Sequence, residues 1–180
     1  MTPPTQATED AGLTILFTGD GKGKTTAAFG QALRAAGQGL AVSIVQFLKG
    51  PWPTGEEKAC AAIPGITLQR CGAGFTWQGP DLAIHRQAAM AGWEMACRQM
   101  AEDRFDLLIL DELTHLIALE FVSEVQILDG IRCRPRRLHL VITGRGATPA
   151  LLAACDLVTE MRAIRHPFAR GLPARKGIEY

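Results

Sequence analysis

Apolar runs and stretches of helical periodicity alternate along the chain from residue 13 to residue 160. The runs lack polar alternation, which is typical of strands that are buried on both faces of a sheet. The predicted strands are 13–17, 41–47, 66–69, 107–110, 139–143 and 157–160. Between them, apolar side chains three or four residues apart predict helices directly after residue 26 and over 56–62, 80–100, 122–131 and 149–154. This order predicts an α/β fold with a mostly parallel sheet covered by helices on both faces.

The first strand runs through a glycine-rich turn into the first helix, and residues 18–26 read TGDGKGKTT. Strand, glycine-rich turn, Lys-Thr and helix form the layout of a P-loop, whose backbone N–H groups hold phosphate at a helix N-terminus. Lys24 would add positive charge, and the Thr25 hydroxyl is placed for Mg²⁺. Thr18 stands where the usual pattern has its first glycine, so this is a variant loop. A surface turn is the alternative, and the flanking strand and helix disfavour it.

Further candidate residues follow other strands at their carboxyl ends, where ligands bind in doubly wound sheets. Asp111 and Glu112 follow an apolar strand as a Walker-B pattern, and a carboxylate there can hold Mg²⁺ opposite Thr25. Capping of the next helix is the alternative for these two acids. Arg145 lies between two glycines and suits recognition of phosphate or ribose, although a solvated turn arginine fits its setting nearly as well.

Two large aromatic side chains, Phe75 and Trp77, lie in a loop framed by glycines over residues 72–79. Helix or strand packing explains them poorly. They either cap the core or form a hydrophobic wall for a large flat ligand. The four histidines show no metal-ligand spacing, so structural roles are expected for them. The arginines in 132–137 could belong to a kinase-like lid or to solvated surface, and the pattern favours the surface.

Composition narrows the class of protein. With 180 residues, 47% of them apolar and 21% charged, the chain is expected to form one domain over 13–180, preceded by a disordered segment over 1–12. A formal net charge of +1 gives no sign of nucleic acid as a partner. No apolar run approaches the length of a membrane span. Five cysteines without a Cys-x-x-Cys pair predict reduced thiols in a cytoplasmic protein.

The motifs above occur in an order and spacing that resemble the ATP:corrinoid adenosyltransferase (cob(I)alamin adenosyltransferase) family of bacterial P-loop enzymes. The resemblance runs from residue 18 to residue 180. Its blocks are 19–26, 45–50, 52–53, 74–77, 110–114, 142–146 and 177–180, together with His166, Phe168, Gly171 and Ala174. Asp20 is the main departure, because the family has asparagine there. Its added negative charge beside phosphate could weaken nucleotide binding modestly or be met by Lys22. The resemblance implies a single-domain P-loop (RecA-like) fold.

The resemblance also implies a reaction. The 5′-deoxyadenosyl group of ATP would pass to Co(I) of a corrinoid (cobalamin, cobinamide or cobyrinic acid a,c-diamide), releasing triphosphate. Co(I) is itself a strong nucleophile, so the protein would position the reactants and stabilise the leaving group. Lys22, Lys24 and Mg²⁺ (or Mn²⁺) on Thr25 and Glu112 would hold the triphosphate. In the family the nucleotide lies reversed, with its γ-phosphate where other P-loop proteins hold the β-phosphate.

In the same family an aromatic pair lies below the corrin ring, and Phe75 and Trp77 match it. There they would exclude an axial ligand and favour four-coordinate Co(II), which a reduced flavoprotein can reduce more easily. The family further implies a cytoplasmic homodimer. A small-molecule kinase or NTPase that transfers the γ-phosphate is the chief alternative, and a binding module without turnover is the third.

The residues expected to act are therefore of three kinds. The predicted catalytic residues are Lys24, Glu112, Phe75 and Trp77, of which the two aromatics would also bind the corrinoid. The predicted ATP-binding residues are Gly19, Asp20, Gly21, Lys22, Gly23, Lys24, Thr25, Thr26 and Arg145. The predicted metal ligands are Thr25, Glu112 and Asp111.

Overall fold

A computed structural model describes residues 11–50, 54–72 and 82–179. Within these ranges all strands pair in parallel in one sheet. The strands are β1 (Thr14–Thr18), β2 (Val42–Phe47), β3 (Ile66–Cys71), β4 (Leu107–Asp111), β5 (His139–Thr143) and β6 (Leu157–Glu160), and their order across the sheet is β3-β2-β4-β5-β1-β6. The predicted α/β fold with a parallel sheet is confirmed.

Helices connect these strands. They are α1 (Lys24–Gly37), α2 (Gly55–Ala61), α3 (Leu82–Ala101), α4 (Thr114–Ala118), α5 (Glu124–Cys133) and α6 (Pro149–Ala153), and a 3₁₀ helix covers Pro167–Arg170. Capping residues determine where several of these helices begin. The hydroxyls of Thr54 and Thr148 accept hydrogen bonds from the first turns of α2 and α6, and Ser123 and Gln126 form a capping box at α5.

Helices cover both faces of the sheet, as the sequence predicts. Successive side chains of a strand point to opposite faces. Leu108 and Leu110 of β4 therefore pack in one buried cluster with Trp93 of α3, while Ile109 packs in a second cluster with Phe29 of α1. All of these side chains are largely removed from water. Burial of such side chains is the main favourable contribution to folding, at about 1.5–3 kcal/mol each.

Strand β6 departs from this pattern. Each of its four residues is exposed, including Leu157 at 44% and Val158 at 42%, whereas β4 is buried throughout. The strand lies at the edge of the sheet and pairs only with β1 among the described strands. The sequence predicts β6 as one of the strands covered on both faces, and its exposure follows from its position at the edge of the sheet.

The order of the strands positions the site. Strand β5 lies between β1, which leads into the P-loop, and β4, which ends at Asp111. Thr143 at the end of β5 pairs in register with Phe17. A hydroxyl therefore stands between the glycine-rich loop and the carboxylates. None of the helices in the described ranges combines the length and apolar character that crossing a bilayer requires.

Candidate active site

The P-loop turns at its glycines. Gly19 and Gly23 have φ values of +93° and +110°, which favour residues without a Cβ. Gly21 N–H donates to the Met161 carbonyl at 2.7 Å, so the chain just beyond β6 packs directly on the loop. Thr18 is the last residue of β1 and pairs with Glu160 of β6. It is absent from the residues with positive φ. The missing first glycine therefore falls in the strand, where a side chain is tolerated.

Lys24 begins α1 and is held inside the loop. Its Nζ donates to the carbonyl oxygens of Gly19 and Gly21, both at 2.7 Å. Burial, followed by the positive charge of Arg145, lowers the pKa of Lys24, while Glu112, Asp20 and other acids oppose that shift. The ammonium group is consequently fixed on the concave side of the loop, where P-loop proteins bind phosphate.

Asp111 is the centre of a buried hydrogen-bond network. Its Oδ1 accepts from the hydroxyls of Thr25 at 2.9 Å and Thr143 at 2.7 Å, and its Oδ2 accepts from Gln46 Nε2 at 2.9 Å. The residue is 0% exposed. Burial raises the pKa of its carboxyl, against the opposing effects of the Lys49 charge and the bonds from Thr143 and Gln46. Both carboxylate oxygens are therefore engaged with the protein.

Glu112 is held differently. Its backbone N–H donates to Thr143 Oγ1 at 2.9 Å, and its φ of +65° is unusual for a residue with a long side chain. Its Oε2 lies 2.9 Å from His115 Nδ1, but the two atoms do not form a hydrogen bond. Burial alone would raise the pKa of Glu112. The pKa is nevertheless lowered, because the effect of burial is smaller than the combined effect of His115, Lys49 and Lys24, which favour the ionised carboxylate. The result is an ionised carboxylate on a residue that lines the cleft described below.

These oxygens fit Mg²⁺. The Thr25 hydroxyl and the Glu112 carboxylate are hard oxygen ligands, and Mg²⁺ is commonly bound by one or two carboxylates together with water and substrate phosphates. No group of three or more His, Cys, Asp or Glu side chains in the described ranges could hold a metal on its own. A site completed by nucleotide phosphates agrees with both observations. Asp111 would act on such a site through Thr25.

A cleft of about 570 Å³ collects these groups. It is lined by Gly21, Lys22, Gly23, Lys24, Thr25, Thr26, Lys49, Glu56, Glu112 and Arg145, and by side chains from residues 166–179. Arg145 is kept near Glu112 by its turn, because the Thr114 hydroxyl donates to the Arg145 carbonyl at 2.7 Å and Gly144 leaves no room for a Cβ beside Thr114. Such a volume lies within the range of about 300–1,000 Å³ for small-molecule sites.

Most of the residues predicted from the sequence meet in this cleft. Asp111 accepts a hydrogen bond from Thr25, which lines the cleft, and the Gly19 carbonyl accepts one from Lys24 Nζ. Asp20 is exposed and stands beside Glu160 and Arg162 instead. Lys22, which could meet the Asp20 charge, pairs with Glu179. Phe75 and Trp77 fall outside the described residues.

Several site residues were not predicted. Lys49 lines the cleft, and its charge acts on both Asp111 and Glu112. Gln46 and Thr143 orient Asp111. All three stand at carboxyl ends of strands, so a polar residue at the end of an apolar run is the signal that could have identified them.

The arginines in 132–137 have structural roles where their contacts are known. Arg134 donates to the carbonyls of Ile131, Leu138 and Gly12, which ties α5 to the start of β1. Arg137 forms ion pairs with Asp103 and Asp106. A kinase-like lid is not supported by these contacts.

We expect Asp111→Asn to separate stability from activity. A carboxyl with a raised pKa destabilises the fold as pH rises, because the unfolded chain loses that proton first. Asparagine cannot ionise, its Oδ1 can accept from both threonines, and its Nδ2 can donate to Gln46 Oε1, which has no other partner. Its free energy of unfolding at neutral pH should equal or exceed that of the wild type, while activity falls about 10- to 100-fold.

Asp111→Ala is the matched comparison for this prediction. It leaves Thr25, Thr143 and Gln46 without their acceptor, so its free energy of unfolding should fall by roughly 1–3 kcal/mol. Chemical denaturation from pH 5 to pH 8 measures both variants. If the asparagine variant is as unstable as the alanine variant, burial of the Asp111 charge does not lower the free energy of unfolding of the wild type.

The fold and the cleft together define a P-loop nucleotide-binding protein. Comparison with known proteins defines it further: a family model described as ATP:corrinoid adenosyltransferase BtuR/CobO/CobP matches residues 10–180. The chain belongs to this family. The predicted family and the prediction of a transferase are confirmed, and the kinase alternative is not favoured.

Individual relatives agree. Corrinoid adenosyltransferase CobA of Salmonella typhimurium is 41% identical over 97% of this chain and 89% of its own length. The corrinoid adenosyltransferases of Escherichia coli K12 and Pseudomonas aeruginosa are 39% and 38% identical over 97% of this chain. A solved structure of EssC (ATPases 2 and 3) from Geobacillus thermodenitrificans has a TM-score of 0.48 at 16% identity, covering 94% of this chain and 35% of that one. A likeness at that level carries no argument about this chain.

Proposed function

We propose that the cleft binds ATP and positions it for transfer of its 5′-deoxyadenosyl group to Co(I) of a corrinoid, with release of triphosphate. The observation that carries this proposal is the convergence of Lys24, Lys49 and Arg145 with Glu112 on one cleft at the carboxyl edge of the sheet. These three cations suit a ligand with several negative charges; Lys22, the fourth cationic residue of the cleft, is paired with Glu179. A triphosphate leaving group is such a ligand.

In this mechanism the protein supplies charge and position. Lys24, fixed by two loop carbonyls, and Arg145, fixed by its turn, stabilise the charge that grows on the triphosphate as the bond between carbon and oxygen breaks. The nucleophile is the Co(I) ion of the substrate, so no side chain has to be activated for attack. Holding the 5′ carbon in line with that ion can supply a large part of the rate enhancement.

Thr25 and Glu112 are the residues that we propose to hold Mg²⁺ (or Mn²⁺) with the nucleotide. Bound there, the ion would neutralise phosphate charge and draw electron density from the leaving group. Asp111, through its bond to Thr25, would keep that hydroxyl turned toward the ion. Thr143 would align both acids, since it bonds to the Asp111 side chain and to the Glu112 backbone.

Phe75 and Trp77 are proposed to form the hydrophobic wall beneath the corrin ring. Support comes from the start of their loop. A Cβ on Gly72 would lie 2.6 Å from the backbone N and O of Lys49, so the chain enters this loop pressed against a residue that lines the cleft. A wall that begins beside Lys49 would place the corrinoid next to the nucleotide.

The remaining expectations also stand as proposals. They are a reduced flavoprotein as electron donor, a cytoplasmic homodimer, a catalytic domain over 13–180 and a disordered segment over 1–12. Gly12 packs against the Leu138 carbonyl, and its N–H donates to the Arg136 carbonyl at 2.7 Å, so Gly12 belongs to the packed domain and we move the proposed boundary to that residue. Light scattering of the purified protein tests the homodimer.

Product analysis tests the proposed reaction. The protein is incubated without oxygen with ATP, Mg²⁺ and chemically reduced cobalamin, and the cobalt–carbon bond is followed by its visible spectrum. We expect adenosylcobalamin and triphosphate in equal amounts. Release of ADP would indicate phosphoryl transfer instead, and unchanged ATP would indicate a binding module.

A further inference from the structure

We propose that residues 161–179, here called the distal segment, carry the wall of the cleft that binds the nucleoside of ATP. The wall itself is formed by side chains from residues 166–179, and Phe168 is the surface on which the adenine ring stacks. This inference rests on the proposed use of the cleft for ATP. It adds a binding site for the base, which the P-loop does not supply.

The distal segment is fixed to the P-loop at both ends. At its start, Met161 N–H donates to the Thr18 carbonyl at 2.8 Å, and the Met161 carbonyl accepts from Gly21 N–H at 2.7 Å. Near residue 179, the side chain of Glu179 pairs with that of Lys22. The residues between these anchors therefore have to pass beside the phosphate-binding loop.

The two sides of the cleft differ in chemistry. The P-loop side presents ammonium groups, hydroxyls and a carboxylate. The distal segment presents mainly apolar side chains, namely Pro167, Phe168, Leu172, Ala174 and Ile178. A ligand that fills the cleft needs a charged end and an apolar end. ATP has both, because its triphosphate is charged and its adenine is a flat ring.

Phe168 is placed to meet that ring. Its backbone N–H donates to His166 Nδ1 at 3.1 Å and the 3₁₀ helix ends at Gly171, whose φ is +68°, so its backbone is held in a defined turn. Its side chain is nevertheless 83% exposed while lining the cleft. Large apolar side chains gain from leaving water, and an aromatic ring gains further by stacking on a base. The adenine base of an ATP molecule bound in the cleft is the flat apolar group that would cover this ring.

Binding measurements with two ligands test the assignment. We expect Phe168→Ala to weaken ATP binding about tenfold, a typical loss for one stacked base, while binding of inorganic triphosphate stays within about twofold. Phe168→Trp should bind ATP at least as tightly as the wild type. Isothermal titration calorimetry with Mg²⁺ and without corrinoid gives the dissociation constants of both ligands for each protein.

Ile164→Ala is the matched control. Ile164 lies in the same segment and is 84% exposed, but it does not line the cleft. Its loss should leave both affinities unchanged. The proposal is overturned if Phe168→Ala binds ATP as tightly as the wild type, or if it loses affinity for ATP and triphosphate equally. These outcomes need no turnover, so they are distinct from a failure of the proposed reaction.

Discussion

Lys24→Ala is expected to lower kcat/KM for ATP by at least about 10²-fold, the loss typical of removing one group that stabilises transition-state charge. The Lys24 ammonium is buried in the loop and held by two carbonyls, so its charge has a fixed position that the alanine variant lacks. Lys49 and Arg145 remain in the cleft and should preserve some affinity for triphosphate. Steady-state rates with chemically reduced cobalamin measure the effect.

Lys58→Ala is the control for that substitution. Lys58 is an exposed lysine on α2, and it does not line the cleft. It should leave kcat/KM unchanged, and thermal unfolding should show that both variants are folded. If Lys24→Ala turns over ATP like the wild type, the P-loop is not the site that holds the leaving group.

Joint replacement of Phe75 and Trp77 by alanine should produce a loss that depends on the oxidation state of the substrate. With Co(II) corrinoid and a reduced flavoprotein we expect turnover to fall below detection, a loss of at least about 10³-fold. The reason is that water or another axial ligand could then reach cobalt and make its reduction harder. With Co(I) corrinoid reduced beforehand, the rate should fall by less than about tenfold.

Both substrates are assayed with the same enzyme preparation, so the rate with Co(I) corrinoid is the control for the rate with Co(II) corrinoid. The variant's affinity for ATP, measured without corrinoid, should match that of the wild type. Equal loss with Co(II) and Co(I) substrates would contradict the axial-ligand role. It would indicate instead that the two rings serve binding of the corrinoid or packing of the loop.

Much of the fold could be predicted from local pattern. Apolar runs identified every strand that the structure describes, because a strand covered on both faces needs a continuous apolar segment. Helix α4 was missed. It has five residues, too few to repeat an apolar period, and unlike the equally short α6 it begins without a capping threonine or a proline. The exposure of β6 was also missed, because its composition matches that of an interior strand.

The candidate site was predicted where its residues are close in sequence. The loop around Lys24 and the pair at Asp111 and Glu112 are local motifs, and the structure brings them within hydrogen-bond distance through Thr25. Contacts between distant residues could not be predicted. The pairing of Lys22 with Glu179 spans 157 positions, and nothing in either local sequence marks it. The carboxyl ends of strands remain the most useful guide, since Gln46, Lys49 and Thr143 all stand there.

The position of β1 in the sheet also governs when the nucleotide site can form during synthesis. Its two neighbours are β5 and β6, and Gly21 further requires the carbonyl of Met161. At about 5–20 residues per second, a ribosome needs roughly 7 to 27 seconds to travel from the P-loop to β6. Until β5 (His139–Thr143) has been made, late in that interval, the emerging glycine-rich loop has no partner strand on either side of β1, and the second partner comes only with β6. ATP therefore cannot assist the early stages of folding, and the nascent chain must build its sheet from β2, β3 and β4 before it can hold a nucleotide.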